Sequence, residues 1–486
     1  MSQNAVAELE PKLVWQHFDA ITKIPRPSGN EEKIRNYLIG LATKRGIKHA
    51  VDAAGNVIIY VPATPGHEGA PAVILQGHMD MVCEKNSDVS INFDKDPLRT
   101  VVESGFVRAV GTTLGADNGM GLAAALAVMD DKASVHGPVE ILCTVDEETG
   151  LTGAQNLDGS KLKGRMMANL DSEEDGAVFI GCAGGATGVT TLKCAWQKAP
   201  AGVKAWEVRV SGLKGGHSGL DINENRANAV RVLAGVLAEA LSGTGAKLIS
   251  IEGGNKHNAI PRESGAIVAV PKGREEAFRA AAECAFAVCK AIHGGYDPDM
   301  ALSVKSSTIR PRKVMTGASA IKCMRLVLSF PQGVLSMSRE VPGLVETSSN
   351  VGVIETVKDS VVITTCSRSS VNESLTVLVK AIESIGALAG AKVDHQGRYP
   401  GWRPNAASPL LAKSKVVFKG LRRKEAEIKA VHAGLECGII MEKLPGLDVI
   451  SFGPALYSVH SPNEKVEIAT VAPFYDFLKE LLKALA

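Results

Sequence analysis

The chain has 486 residues, too many for one ordinary hydrophobic core, so two domains are the starting expectation. Lysine and arginine (54) nearly balance aspartate and glutamate (52), and aromatic residues make up only 4%. With a net charge of +2 and no basic tract, the chain lacks the clustered positive face of a nucleic-acid binder. In chain order, SGNE at 28–31 has the form of a capping box. Ile34, Tyr37, Leu38, Leu41 and Ala42 then recur at helical spacing, and Gly46 is placed to end the helix. Residues 57–61 and 73–76 read as buried strands. The second breaks at Gly77 and delivers His78 and Asp80, which a period of two points to the same side. Ligands in α/β sheets collect beyond the carboxyl ends of strands, where these two residues fall.

GTTLGAD (111–117) leads into a strong helix former with Asp117 at the N-cap position. A strand at 139–145 runs out into Glu147 and Glu148, and one at 166–170 ends in Asp171. After Gly184 and Gly185 the character changes to alternating strands mixed with helices. Strands are expected from Trp206, near 247–251 and 266–270, and at 324–330, 351–357 and 361–366. Helices are expected at 227–241, 274–292 and 372–388. This is the pattern of an α+β insert, and its strand–helix–strand–strand–helix order is compatible with two similar halves. From Trp402 the α/β character returns with a helix near 408–421, strands at 427–431 and 447–452, and a last amphipathic helix at 470–485. The loop GPALYSVHSPNE (453–464) carries His460. The expected fold is α/β: a mixed sheet flanked by helices over 1–186 and 401–486, interrupted by an α+β domain over 187–400.

Nine scattered cysteines without a CxxC pair indicate neither a disulfide framework nor a cysteine zinc site, and fit a reducing cytoplasm. The N-terminal MSQNAVAELEPKLVW has no basic and no apolar leader region. No apolar run approaches ~18 residues, so no membrane span is expected.

Strand ends, a helix start and one late loop thus supply His78, Asp117, Glu148, Asp171 and His460. Zinc takes histidine nitrogen and carboxylate oxygen. Paired-metal sites use two ions roughly 3.5–4 Å apart. Divided around a bridging Asp117, each metal would receive one histidine, one terminal carboxylate and half the bridge. Cysteine-free ligation suits zinc, manganese or cobalt, and residue type does not choose among them. Asp80 can accept the free ring N–H of His78. Glu147, beside Glu148, can take a proton from a metal-bound water. Singly, each of these acids also fits a helix cap or a solvent-facing carboxylate; it is their concentration at strand ends that favours a shared site.

The segments GHMDMV, LGADNGMG, DEETGLTGA, NLDSEE and SVHSPNE resemble, in order, the metal-site motifs of the M20 metallopeptidase family, and within it the cytosolic aminoacyl-histidine dipeptidase branch. The match extends through nearly the whole chain. The resemblance implies a zinc-peptidase-like catalytic domain interrupted by a lid and dimerisation domain. It implies two divalent ions per subunit, zinc first and cobalt or manganese as alternatives, held by His78, Asp117, Glu148, Asp171 and His460 with Asp117 bridging. It further implies Asp80 behind His78, Glu147 as general base, and a cis peptide between Asp117 and Asn118. SGLKGGHSG (211–219) is similar to the lid segment whose histidine, here His217, reaches the scissile carbonyl oxygen. Asn258 in KHNAIP and Arg368 in CSRSS resemble lid residues that hold the substrate backbone and terminal carboxylate, the latter through bidentate geometry. A surface-loop histidine, a turn asparagine and a surface salt bridge are the ordinary alternatives for these three.

The implied activity is hydrolysis of unblocked dipeptides, including Xaa-His such as carnosine, by a metal-bridging water in a cytoplasmic homodimer. If the lid holds two halves, His217 can act within its own chain, and supply in cis or in trans stays open. An N-acyl-amino-acid deacylase or carboxypeptidase on the same scaffold, and a non-catalytic metal-binding protein, are the competing readings. His432 and Glu436, spaced i, i+4 on an expected helix, read as structural rather than ligating. Gly184-Gly185 and Gly253-Gly254 lack the lysine of a phosphate loop, and His136, His257 and His293 have no partner pattern.

Overall fold

The structure, a computed structural model, describes residues 6–486; residues 1–5, where the stretch read for a leader begins, lie outside the described residues. By its internal contacts the chain forms two compact units. One takes the chain up to Gly181 with Trp402–Ala430 and Leu435–Ala486, and the other takes Cys182–Gly401 with Val431–Gly434.

The first unit is built on an eight-stranded mixed sheet. Its strands run in the order Lys48–Val51, Val57–Val61, Val139–Thr144, Val73–His78, Met166–Asn169, Asp448–Ser451, Ala177–Cys182, Glu427–Val431. The four from Val139–Thr144 to Asp448–Ser451 are parallel neighbours, so their carboxyl ends share one edge. Val73–His78 and Val139–Thr144 are buried throughout, which is why they do not alternate polar and apolar residues. The helix Ala116–Asp130 is buried on nearly every face, as its all-round apolar sequence requires. It packs on the helix Lys12–Thr22, whose Trp15, Phe18 and Ile21 are fully buried. Each such side chain contributes about 1.5–3 kcal/mol of transfer free energy.

The second unit is built on a nine-stranded antiparallel sheet composed of two βαββαβ halves. The first half has strands Val203–Ser211, Lys247–Gly253, Ser264–Pro271 and Ala301–Ser306, with helices Ala229–Ala240 and Glu275–His293. The second has strands Gly184–Lys193, Val345–Val357, Ser360–Ser369 and Lys392–Tyr399, with helices Gly317–Ser329 and Asn372–Ala389; Gly333–Met337 adds to Val345–Val357. Within each half the strands stand in the sheet in the order second, third, first, fourth. The two second strands join the halves edge to edge, Glu252 opposite Glu355 and Gly253 opposite Ile354. A cavity of about 770 Å³ opens beside this seam, lined by Gly253, Gly254, Gly352 and Ile354 among others.

Four local expectations change. The strand at 73–76 does not break at Gly77 but continues to His78. A Cβ on Gly77 would lie 2.2 Å from Asn118 Oδ1, so the glycine makes room for the helix rather than ending the strand. Residues 324–330 are not a strand but the end of the helix Gly317–Ser329, capped by Thr316, whose hydroxyl accepts from Ser319 N. A short apolar run carries no period that separates the two. Ser28 does not cap the helix Glu32–Lys44; its hydroxyl donates to Asp80 Oδ2 at 2.7 Å. His432 lies outside the helix Glu436–Lys443, which begins only at Glu436.

Candidate metal centre

The chain leaving the four parallel strand ends carries the expected acids and histidines into one cluster in the first unit. Asp146 turns the backbone through a left-handed conformation (φ 51°) at the start of the short helix Glu147–Gly150. The amides of Glu147 and Glu148 donate to Asp80 Oδ1 and Oδ2 at 3.0 and 3.2 Å. Asp80 is fully buried, and its Oδ1 lies 3.3 Å from His78 Nδ1, within ion-pair reach but off the hydrogen-bond direction. One carboxylate therefore fixes both the first histidine and the turn that presents two acids.

Asp117 stands between two histidines. The backbone at Asp117 and Asn118 is not helical and their peptide bond is cis, so the regular helix begins after them. Asp117 Oδ1 is 3.0 Å from His78 Nε2, and Oδ2 is 3.1 Å from His460 Nε2. His78 Nε2 is also 3.4 Å from Asp171 Oδ1, and His460 Nε2 is 3.0 Å from Glu148 Oε2. Ligand-type atoms of His78, Asp117 and Asp171, of Asp117, Glu148 and His460, and of His78, Glu147 and Glu148 lie within 4.8 Å of one another in each set.

Negative charge dominates the cluster. Burial opposes ionisation of Asp80 and Asp117, yet the adjacent His78, with the Ser28 hydroxyl and the Glu147 amide, holds Asp80 below the usual carboxylate range, and hydrogen bonds from His460 and His78 do the same for Asp117. Asp171 is pushed up to about 7, by burial first and by Asp117 and Glu148 in addition, against the pull of His78. Desolvation, with Asp171, Glu436 and Glu148 close by, holds Glu147 well above its ordinary value despite His78. His460 is raised to about 11 by its bonds to Asp117 and Glu148. His78 is raised although burial works against its charged form, because Asp171, Asp117 and Asp80 surround it. Glu148 Oε1 and Asp171 Oδ1 are buried without a hydrogen-bond partner. Oxygen and imidazole donors this crowded, with orphaned oxygens among them, fit divalent cations.

Three supporting residues were not singled out as site residues in the sequence. Glu464, in the SVHSPNE motif, accepts from the amides of Leu114, Gly115, Ala116 and Asp117 at 2.7, 3.1, 2.7 and 3.4 Å. Arg26 donates to the carbonyls of Met79, Asp80 and Gly115. Glu436 is fully buried and accepts from Gln76 Nε2 at 2.6 Å and Thr144 Oγ1 at 2.5 Å, and burial pushes it up to about 8. Glu464 had a sequence signal in its place four residues after His460, Glu436 had one only in its spacing to His432, and Arg26 had none.

His217, Asn258 and Arg368 belong to the second unit and come together there. The short strands Gly216–His217 and Ala259–Ile260 pair, and Ser218 N donates to the carbonyl of Asn258 at 2.8 Å, which sets Asn258 beside His217. The amides of Gly219 and Leu220 donate to His217 Nδ1 at 3.3 and 3.1 Å, so the neutral ring carries its proton on Nε2. Burial, with Arg368 adding to it, lowers His217 to about 4 and keeps it neutral. Arg368 lies 3.4 Å from His217 Nε2, and its other terminal nitrogen donates to Tyr399 Oη at 3.3 Å. His432 shares a 2.7 Å hydrogen bond with Ser348 Oγ in this unit.

The parallel sheet edge gathers histidine and carboxylate donors of the kind that metallopeptidases use to hold divalent cations. The profile of Peptidase family M20/M25/M40 matches residues 74–484. Over 478 residues, 98% of both chains, the sequence is 38% identical to the cytosol non-specific dipeptidase of Escherichia coli (strain K12). The chain belongs to the M20 peptidase family. Its structure matches that of aminoacylhistidine dipeptidase from Vibrio alginolyticus with a TM-score of 0.91 at 39% identity, covering 100% of this chain and 99% of that one. Aminopeptidase PepT from Bacillus cereus ATCC 10987 shares the fold, with a TM-score of 0.57 at 16% identity and 98% and 99% coverage. No helix among the described residues is long and apolar enough to cross a membrane.

Proposed function

We propose that this chain is a dipeptidase that hydrolyses unblocked dipeptides with two divalent cations. The observation that carries the reading is Asp117, whose two oxygens each face a different histidine–carboxylate pair. His78 and Asp171 would hold one cation, His460 and Glu148 the other, with Asp117 between them; zinc, cobalt and manganese all suit these donors. Bound there, the cations supply Lewis-acid polarisation of the scissile carbonyl and lower the pKa of water.

The protein's own groups do the rest. Glu147 takes a proton from the attacking water and returns it to the leaving amine. Asp80 holds His78 and the Glu147–Glu148 turn in register. His217, neutral with its proton on Nε2, donates to the carbonyl oxygen as negative charge develops there. Arg368 receives the terminal carboxylate, and Asn258 the substrate backbone. His217 and Arg368 lie in one chain with donors 3.4 Å apart, which supports a substrate whose reacting carbonyl and terminal carboxylate are neighbours. Each added residue would move that carboxylate up to ~3.3–3.6 Å further away. Xaa-His dipeptides are included because a relative of 39% identity is named for that class.

The test is a panel of free dipeptides, N-acetyl dipeptides and tripeptides on protein loaded with zinc, cobalt or manganese. Free dipeptides should be cleaved fastest. Preference for the N-acetyl series would instead establish a deacylase or carboxypeptidase, and equal cleavage of tripeptides would remove Arg368 as the measure of length.

A further inference from the structure

The loop at 114–117 that presents Asp117 is held on both of its faces by buried charges. On one face its four successive amides converge on the carboxylate of Glu464, Leu114 and Gly115 on Oε2, Ala116 and Asp117 on Oε1. On the other, the Gly115 carbonyl accepts from the Arg26 guanidinium, which also donates to the carbonyls of Met79 and Asp80 at 3.1 and 2.6 Å. Arg26 and Glu464 are 1% and 2% exposed. Gly115 sits in a left-handed conformation (φ 66°), and a Cβ there would meet Arg26 at 2.5 Å and Met81 Sδ at 2.7 Å, so the approach depends on glycine.

These contacts tie four separate pieces of chain together, the Arg26 segment included. Arg26 joins the exit of the strand Val73–His78 to the Asp117 loop. Glu464 joins that loop to the His460 loop, which is stiffened in turn by the 2.7 Å bond from Ser461 Oγ to the Ser458 carbonyl. His460 itself has a left-handed backbone (φ 60°), uncommon for a non-glycine residue and maintained only by its surroundings. Asp80 already fixes His78 to Glu147 and Glu148. Glu464 ties the His460 segment to the Asp117 loop itself, next to the pairing of Lys465–Glu467 with Phe106–Ala109 just before that loop.

We propose that Arg26 and Glu464 are paired positioning residues that set the spacing of the two cation positions, Glu464 controlling the His460–Glu148 position and Arg26 the reach of Asp117 toward His78. The proposal rests on the two-cation reading above. It gives the buried carboxylate of Glu464 a role that bulk stability alone would not: Glu464→Gln keeps the shape, but its NH₂ must face amide donors on one side, which releases half of the loop.

Metal-stripped full-length protein is titrated with Co²⁺ alone, followed by visible absorption and calorimetry. Wild type should bind two ions per chain. Glu464→Gln should bind one ion with affinity close to wild type and the other about 10–100-fold more weakly, with a changed absorption band for that ion. Arg26→Lys, which keeps the charge but spans fewer carbonyls, should also split the two affinities. Glu464→Asp should recover part of the loss, and it takes the place of Glu464→Gln if the latter does not fold. Wild type binding fewer than two ions overturns the two-cation reading itself. Wild type binding two, with both affinities in Glu464→Gln unchanged or lowered by one common factor, leaves that reading in place and overturns the positioning role.

Discussion

Replacing Asp80 by asparagine tests whether one buried carboxylate organises the centre. In the native protein Oδ1 accepts from Glu147 N and faces His78 Nδ1, while Oδ2 accepts from Glu148 N and Ser28 Oγ. Asparagine fills the same space, so no cavity term enters. Its NH₂ can replace Oδ2, where the Ser28 hydroxyl can reorient to accept but the Glu148 amide faces a donor. It can instead replace Oδ1, which strands the Glu147 amide and makes His78 Nδ1 an acceptor, placing the ring proton on Nε2 toward Asp117. The first choice costs less: one charge-assisted bond is lost and one buried N–H is left unsatisfied, about 2–3 kcal/mol. Cation affinity should fall about 10–100-fold because the ring and the Glu148 turn lose their common anchor.

The sign with pH is fixed by the native environment. His78 and the hydrogen bonds around it depress Asp80, so its contribution is present above the unfolded carboxylate pKa of about 3.9 and is lost as pH falls below it. Denaturant unfolding of metal-stripped wild type and Asp80→Asn should therefore differ at pH 7 and converge in acid. Zinc titration at pH 7 measures the second effect. Equal stability and equal affinity at pH 7 would refute the assignment.

Glu147→Gln should lower kcat by about 10²–10⁴-fold while cation stoichiometry and KM change little; retained turnover at full metal occupancy removes it as the base. Arg368→Lys keeps the charge but loses the planar fork, so KM for dipeptides should rise more than kcat falls, and an unchanged KM would sink the carboxylate role. His432 is held neutral, at about 3, by burial first and by Arg368. A base whose folded pKa lies below its unfolded value of about 6.5 loses stability as pH falls through 6.5 toward the folded value. His432→Asn should flatten the fall in unfolding midpoint between pH 6.5 and 4; a slope equal to wild type would contradict this.

The clustering of His78, Glu148 and Asp171 was legible in the sequence because these residues sit where apolar runs stop, and a strand's carboxyl end is a local feature; Asp117 stood at a helix start and His460 in a late loop. Arg26 and Glu464 were not legible in the same way. A charged side chain that clasps backbone leaves no period in the sequence, and its partners are amides and carbonyls that every residue possesses. Gly77 misled for a related reason: its meaning lies in the Asn118 side chain across the contact, not in its own strand. Residues 324–330 show the limit of an apolar run, which a helix covering a sheet and a buried strand both supply. The two halves of the second unit were visible only as a repeated element order. Gly184–Lys193, the first strand of the second half, is separated from its helix Gly317–Ser329 by the whole first half, so no contiguous stretch shows the repeat.

The same topology explains how His460 reaches a site that begins at His78. The chain leaves the first unit at Gly181 and returns at Trp402, and a Cβ on Gly181 would lie 2.9 Å from the Trp402 carbonyl oxygen. An excursion whose ends coincide leaves the parent sheet's register undisturbed whatever its length, which is how an inserted domain is tolerated. After the return, Asp448–Ser451 pairs in parallel with Met166–Asn169, beside Val73–His78, and Lys465–Glu467 pairs with Phe106–Ala109; these two non-local pairings bracket the 453–464 loop and bring it to Asp117. Such contacts come with a loop-closure cost before they return any stabilisation. Glu464 and His460 therefore arrive on the same segment for a physical reason: the segment that completes the histidine–carboxylate cluster also brings the carboxylate that accepts from the amides of the Asp117 loop.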